Sequence, residues 1–162
     1  MKKKITVIGP SGVGKTNLIY KLLNLKVPKI LPITLCIDYI TNKLDNLTFI
    51  DYTGNKKIFS CFFNQITDTD LLIMVLNDTL EHLLQEFNYY QLHNLYKFPI
   101  IVVFNNNNNN NNSNNSDNGI DNTDIPNPLK THFQDNNINY FCVNCKTGLG
   151  ISTLKKYLEH KL

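Results

Sequence analysis

Eight residues near the start constrain this chain more than any other feature. Gly9-Pro10-Ser11-Gly12-Val13-Gly14-Lys15-Thr16 fits G-x-x-x-x-G-K-[ST], the phosphate-loop pattern. The pattern carries meaning only between a strand and a helix, and the sequence predicts both. Lys3 to Ile8 reads as a buried strand that the glycine-rich turn cannot continue. Lys15 to Leu25 carries Leu18, Ile19, Leu22, Leu23 and Leu25 near helical spacing. In such a loop the glycines let the backbone wrap closely, so that its N–H groups face phosphate oxygens. The helix start adds a partial positive charge. Lys15 would reach terminal phosphates and the Thr16 hydroxyl would bind Mg²⁺. Asn17, next on the helix, is counted with this set. A plain glycine turn is the competing reading.

The rest of the chain supplies the frame for such a loop. Leu35 to Leu44 and Leu47 to Ile50 are β-rich runs joined by Asp45-Asn46 and predict a hairpin. Asp70 to Leu76 and Pro99 to Phe104 read as buried strands, with a helix from Thr79 to Tyr96 between them that ends before Pro99. Leu129 to Gln134 predicts a short helix, Asn139 to Val143 a strand and Gly150 to His160 a C-terminal helix. Strands alternating with helices predict an α/β fold, with a mostly parallel sheet covered on both faces. One feature interrupts it: an asparagine-rich, low-complexity insertion at about residues 105–122.

At 162 residues the chain predicts a single domain, 1–162, large enough for a core without disulfides or metal. A hydrophobic content of 42% excludes a disordered chain. No apolar stretch is long enough to span a membrane, and no long apolar signal segment follows the basic start Met1-Lys2-Lys3-Lys4, so a cytoplasmic location is expected. A net charge of +3 is too mild to argue for nucleic acid. Cys36, Cys61, Cys142 and Cys145 are expected reduced and mostly buried. The C-x-x-C spacing of Cys142 and Cys145 also fits zinc or redox chemistry, but no second pair accompanies it. The histidines, His82, His93, His132 and His160, are scattered and read as surface or packing residues. All sixteen basic residues are lysine; there is no arginine.

Three further stretches narrow the class. Asp51-Tyr52-Thr53-Gly54 ends a strand and fits D-x-x-G, Thr34 lies in PITLCIDY before the hairpin, and Tyr140 to Gly148 (YFCVNCKTG) places a lysine after the last strand. Asp51 also reads as a simple strand-end cap and Thr34 as an ordinary loop residue. Together and in this order, the stretches resemble the Ras superfamily of small GTPases over nearly the whole chain. Ser11-Gly12, TLCIDY and VLNDT look most like the Rab branch, although the hairpin between Thr34 and Asp51 is shorter than in Rab proteins.

The resemblance implies a phosphate-loop small G domain: six strands, mostly parallel, with one antiparallel edge strand and helices on both faces. It implies GTP/GDP and Mg²⁺ as ligands, with Gly9, Ser11, Gly12, Val13, Gly14, Lys15, Thr16 and Asn17 on the phosphates. Thr34 is the switch I threonine, sensing the γ-phosphate and sharing the metal with Thr16 and Asp51; Asp51 and Gly54 begin switch II. Cys145, through its N–H, and Lys146, through its stem, contact the base. Effector and regulator proteins would meet the switch regions, in vesicle traffic or signalling.

The departures concern catalysis and base reading. Asn55 stands where the family has a water-orienting glutamine, one methylene shorter, and misplacement by about 1 Å can cost ~10²-fold. Without arginine the chain supplies no transition-state arginine in cis. Val27 lies where the family often stacks an aromatic ring on the base. The chain ends Glu159-His160-Lys161-Leu162 without a cysteine, so no stable lipid anchor is expected.

The base-reading motif N-K-x-D has two possible registers. The direct one is Asn105-Asn106-Asn107-Asn108, with Asn108 replacing the specificity-setting aspartate; the looped one is Asn118-Gly119-Ile120-Asp121, which keeps the carboxylate at Asp121. The direct register is preferred because it follows rigidly from the strand. The leading function is a guanine-nucleotide switch with weak intrinsic GTP hydrolysis, for which Asn55 and Thr34 are the catalytic candidates. The alternative is a non-cycling pseudo-GTPase scaffold. A small nucleotide kinase would need arginines to clamp the transferring group.

Overall fold

A computed structural model describes residues 2–29, 34–41, 46–62, 66, 68–76, 85, 88–89, 98–106 and 127–162. The strands are β1 (Lys3–Ile8), β2 (Ile37–Thr41), β3 (Leu47–Tyr52), β4 (Leu71–Leu76), β5 (Ile100–Asn105) and β6 (Asn139–Val143). The helices whose bounds lie among the described residues are α1 (Lys15–Leu22), α2 (Lys56–Phe62), α3 (Asn127–Asp135) and α4 (Ile151–Lys161). They form one sheet in the order β2-β3-β1-β4-β5-β6. Only the β2–β3 pair is antiparallel; β1 runs parallel to β3 and β4, and β5 lies parallel between β4 and β6. This is the mostly parallel sheet with one antiparallel edge that the resemblance implies.

β4, in the middle of the sheet, is apolar at every position because both of its faces are covered. Along β4, Leu71, Ile73 and Val75 enter one core with Leu18, Ile19 and Leu22 of α1 and Leu154 and Leu158 of α4. Leu72, Met74 and Leu76 enter the other, with Phe59 of α2 and Leu129 and Phe133 of α3. Alternate side chains of one strand thus serve opposite layers. At the β2 edge this covering stops: Tyr39, on β2, and Leu35, just before it, are the most exposed large apolar side chains of the described residues.

Several element ends differ from the sequence reading. The first helix stops at Leu22 instead of Leu25, because Asn24 takes a left-handed backbone (φ 53°). The Leu25 N–H then donates to Tyr20 O (2.8 Å) and that of Asn24 to Lys21 O (3.2 Å), a Schellman stop. β2 begins at Ile37, not Leu35, while positions 42–44 of the expected strand and position 45 of the expected turn lie outside the described residues. β3 runs on through Tyr52, which puts Asp51 inside the strand. β5 includes Asn105, the first asparagine of the tract. Of the expected helix from Thr79 to Tyr96, the described residues Gln85, Asn88 and Tyr89 are helical and the others lie outside the description. α2 was not anticipated. The cysteine expectation needs correcting: only Cys145 is buried, Cys142 is half-buried, and Cys36 and Cys61 are exposed, on the loop before the edge strand and on α2. All four are free thiols.

Candidate functional site

The carboxyl ends of β1, β3 and β5 gather the chemistry of the chain at one end of the sheet, where parallel sheets hold their ligands. β1 leads into the phosphate loop between β3 and β4. Gly9 adopts φ +144°, and a Cβ there would come within 2.0 Å of the Val75 carbonyl oxygen of β4, so the loop lies directly on the neighbouring strand. Val13 is buried in the core, Ser11 and Gly12 are exposed, and Asn17 is half-buried on α1. Gly14 caps the start of α1 in a left-handed conformation.

Lys15 folds back over its own loop. Its Nζ donates to Gly9 O (3.0 Å) and Pro10 O (2.8 Å), and the side chain is buried. Burial lowers its pKa to about 8, against the opposing pull of Asp51. Such an ammonium, with its donors only partly used by carbonyls, is primed for an anion at the loop mouth.

Beside it three oxygen-bearing side chains converge from three segments. The Thr16 hydroxyl donates to Asp51 Oδ2 (2.5 Å), the Thr34 hydroxyl donates to the same oxygen (3.2 Å), and the two hydroxyls lie 3.4 Å apart. Asp51 is fully buried; burial raises its pKa, opposed by the two hydroxyls and Lys15. Its second oxygen, Oδ1, is buried with no hydrogen-bond partner among the described residues. A buried carboxylate oxygen without a partner is costly. Two hydroxyls and one carboxylate are also the ligand set of a hard divalent cation. The residues therefore fit such an ion.

The segment after Asp51 is pinned to this cluster. The Thr53 N–H donates to Cys36 O (2.8 Å), joining the loop after β3 to the chain entering β2. Gly54 lies so close to the phosphate loop that a Cβ would stand 2.2 Å from Ser11 N. Asn55 follows at the start of α2, exposed, with its side-chain oxygen accepting the N–H groups of Lys57 (3.0 Å) and Ile58 (3.4 Å).

Asn105 ties the opposite wall together. Fully buried at the end of β5, it donates through Nδ2 to Val13 O (2.7 Å) and accepts from Cys145 N–H through Oδ1 (3.1 Å). It thus joins the phosphate loop to the loop after β6. The Cys145 N–H, assigned to the base by the resemblance, donates here to Asn105. Burial pushes the Cys145 thiol up to about 12, so it stays protonated and unreactive. Lys146 is exposed and Val27 half-buried. Asn108 and Asp121, the two candidate base readers, lie outside the described residues.

Two residues of this site had no role in the sequence reading. The Asn144 Oδ1 accepts the N–H groups of Lys146 (2.9 Å) and Thr147 (3.0 Å), shaping the loop that presents Cys145. An asparagine directly after a strand, here opening N-C-K-T-G, is a turn signal of this kind. Thr53 accepts the Asn55 N–H through its hydroxyl (3.2 Å), which no spacing argument reveals.

The fold and this site define a phosphate-loop nucleotide-binding protein of the small G-domain type. A family model described as 50S ribosome-binding GTPase matches residues 4–106, more than half of the chain. The Ypt/Rab-type GTPase ypt71 of Schizosaccharomyces pombe is 30% identical over 115 residues, covering 63% of this chain and 55% of the relative. The chain thus spans about half the length of that curated relative. It belongs to this GTPase family and is a divergent, Rab-like small GTPase of the Ras superfamily. Membership implies a guanine nucleotide as ligand. No described helix is long and apolar enough to cross a membrane.

Proposed function

We propose that this chain is a guanine-nucleotide-binding switch with weak intrinsic GTP hydrolysis, built as a single domain around the asparagine-rich insertion. The observation that carries the reading is the convergence of Thr16, Thr34 and Asp51 beside the buried ammonium of Lys15. In the proposal Lys15 and the loop amides from Gly9 to Thr16 bind the β- and γ-phosphates, while Thr16, Thr34 and Asp51 hold Mg²⁺. The ion would neutralise charge developing on the phosphoryl oxygens. Because Thr34 belongs to a separate segment, its grip on Asp51 and the cation links the state of the terminal phosphate to the chain entering β2. That chain carries exposed Leu35 and Tyr39, which is where an effector would read the state. Slow turnover follows from two features: the absence of arginine and asparagine at position 55.

The first test is chromatography of nucleotide released from the purified protein, which should yield GDP or GTP. Lys15→Ala should then abolish Mg²⁺-dependent binding of nucleoside di- and triphosphates in calorimetry, and equal affinity for the variant refutes the reading. A non-cycling scaffold is the second reading, favoured by the side-chain oxygen of Asn55 being engaged by α2. Single-turnover assays separate the two: a scaffold retains bound GTP unchanged.

A further inference from the structure

Asn55 occupies the position that the family resemblance assigns to orienting the attacking water, yet its side chain faces a helix. Its backbone carbonyl accepts Phe59 N–H (2.8 Å), the first hydrogen bond of α2. Its Oδ1 accepts the N–H groups of Lys57 and Ile58, the second and third helical residues. Its own N–H donates to the Thr53 hydroxyl. This is the hydrogen-bond pattern of an N-cap, a position at which asparagine is among the best residues.

The helix has particular need of it. The first turn of α2 holds Lys56 and Lys57 and no acidic residue, so its charges oppose the helix dipole. The far side of the same turn is fixed separately. The Lys56 ammonium lies 4.8 Å from the Tyr89 ring centroid, Tyr89 OH donates to Lys56 O (3.0 Å), and Phe59 packs edge-on against Tyr52. A water-orienting amide must accept from water through its oxygen while its NH₂ donates to the phosphoryl group. At Asn55 that oxygen already serves two backbone donors.

We propose that Asn55 is the N-cap of α2, a positioning residue that fixes the start of the switch II helix directly behind Gly54, and not the residue that orients the attacking water. The catalytic half of this statement rests on the function proposed above; the capping half stands without it. The experiment compares wild type with Asn55→Ser, which keeps a capping oxygen but lacks the amide, and Asn55→Ala, which lacks both. Melting is recorded without nucleotide and turnover with GTP under single-turnover conditions. Asn55→Ser should melt within about 1 °C of wild type and Asn55→Ala lower by about 2–4 °C. Asn55→Ser should hydrolyse GTP within about twofold of wild type. Asn55→Ala melting with wild type overturns the cap. A tenfold or greater loss of turnover in Asn55→Ser at unchanged melting makes the amide catalytic and overturns the proposal equally. Should wild type turn over no GTP, the hydrolysis proposed above fails while the melting comparison still decides the cap.

Discussion

Asn105→Ala tests how the two walls of the site are joined. The Asn105 side chain is fully buried and answers two backbone groups, the Val13 carbonyl at 2.7 Å and the Cys145 N–H at 3.1 Å. Truncation removes both partners at once. A buried polar group left unsatisfied costs about 1–3 kcal/mol, so the pair should cost about 2–6 kcal/mol, toward the lower end where water enters the space. For a chain of this size about 3 kcal/mol corresponds to a fall of roughly 6–12 °C in melting temperature. The substitution should weaken nucleotide binding as well, because Val13 belongs to the phosphate loop and Cys145 to the loop after β6. Asn105→Asp separates the two bonds: its oxygen still accepts from Cys145, but it meets the Val13 carbonyl with a second acceptor, and burial penalises its charge. It should therefore be no more stable than the alanine variant. Urea unfolding of the three proteins measures the differences. If Asn105→Ala lies within about 0.5 kcal/mol of wild type, Asn105 is not a strut between the two walls.

Asp51→Asn should leave the nucleotide-free protein as stable as wild type or more stable near neutral pH, because it removes a charge that burial disfavours, while Mg²⁺ should no longer strengthen nucleotide binding. Urea unfolding and calorimetry with and without the cation check the two halves. Lys15 gives a pH signature: its pKa is lowered to about 8 in the folded chain against 10.5 for the ordinary group, so folding releases its proton and stability rises with pH between these values. Phosphate binding needs the ammonium, so above about pH 8 nucleotide binding should take up a proton, seen as calorimetric heat that varies with the buffer, and no such uptake should occur near neutrality. For base selection, the direct register predicts that Asn108→Asp improves GTP affinity relative to XTP and that Asp121→Ala changes nothing; loss of guanine preference in Asp121→Ala selects the looped register instead.

The sheet was legible because its physics is local and repeated. Runs such as Leu71 to Leu76 are apolar at every position, and only a strand covered on both faces needs that. The phosphate loop was legible because its glycines, lysine and threonine must stand at fixed spacing. Element ends were less so, because they depend on single residues: Asn24 stops α1 through a left-handed backbone that leucine spacing does not reveal. α2 was missed although Asn55 ahead of Lys56-Lys57-Ile58-Phe59 is a helix-start signal. The place of the same asparagine after D-x-x-G points to catalysis, whereas its side chain answers the first turn of α2. The cysteines went astray for a related reason: residue type predicts burial on average, whereas Cys36 and Cys61 sit on surface segments whose other side chains set the packing.

The asparagine tract joins these threads, because its first residue belongs to the fold. Asn105 closes β5, and the Asn106 N–H extends the ladder by donating to Val143 O at 2.8 Å. An inserted tract that merely interrupted a loop would begin outside the core and leave no buried amide behind. Here the strand delivers Asn105 between the phosphate loop and Cys145, where its amide presents the donor and the acceptor that those two backbone groups require. A leucine of similar size would fill the space and leave both groups unanswered. The amide is needed at that position whatever follows it. The start of the tract is therefore set by folding, and any latitude in its length lies beyond Asn106, where base selection by Asn108 or Asp121 would be decided.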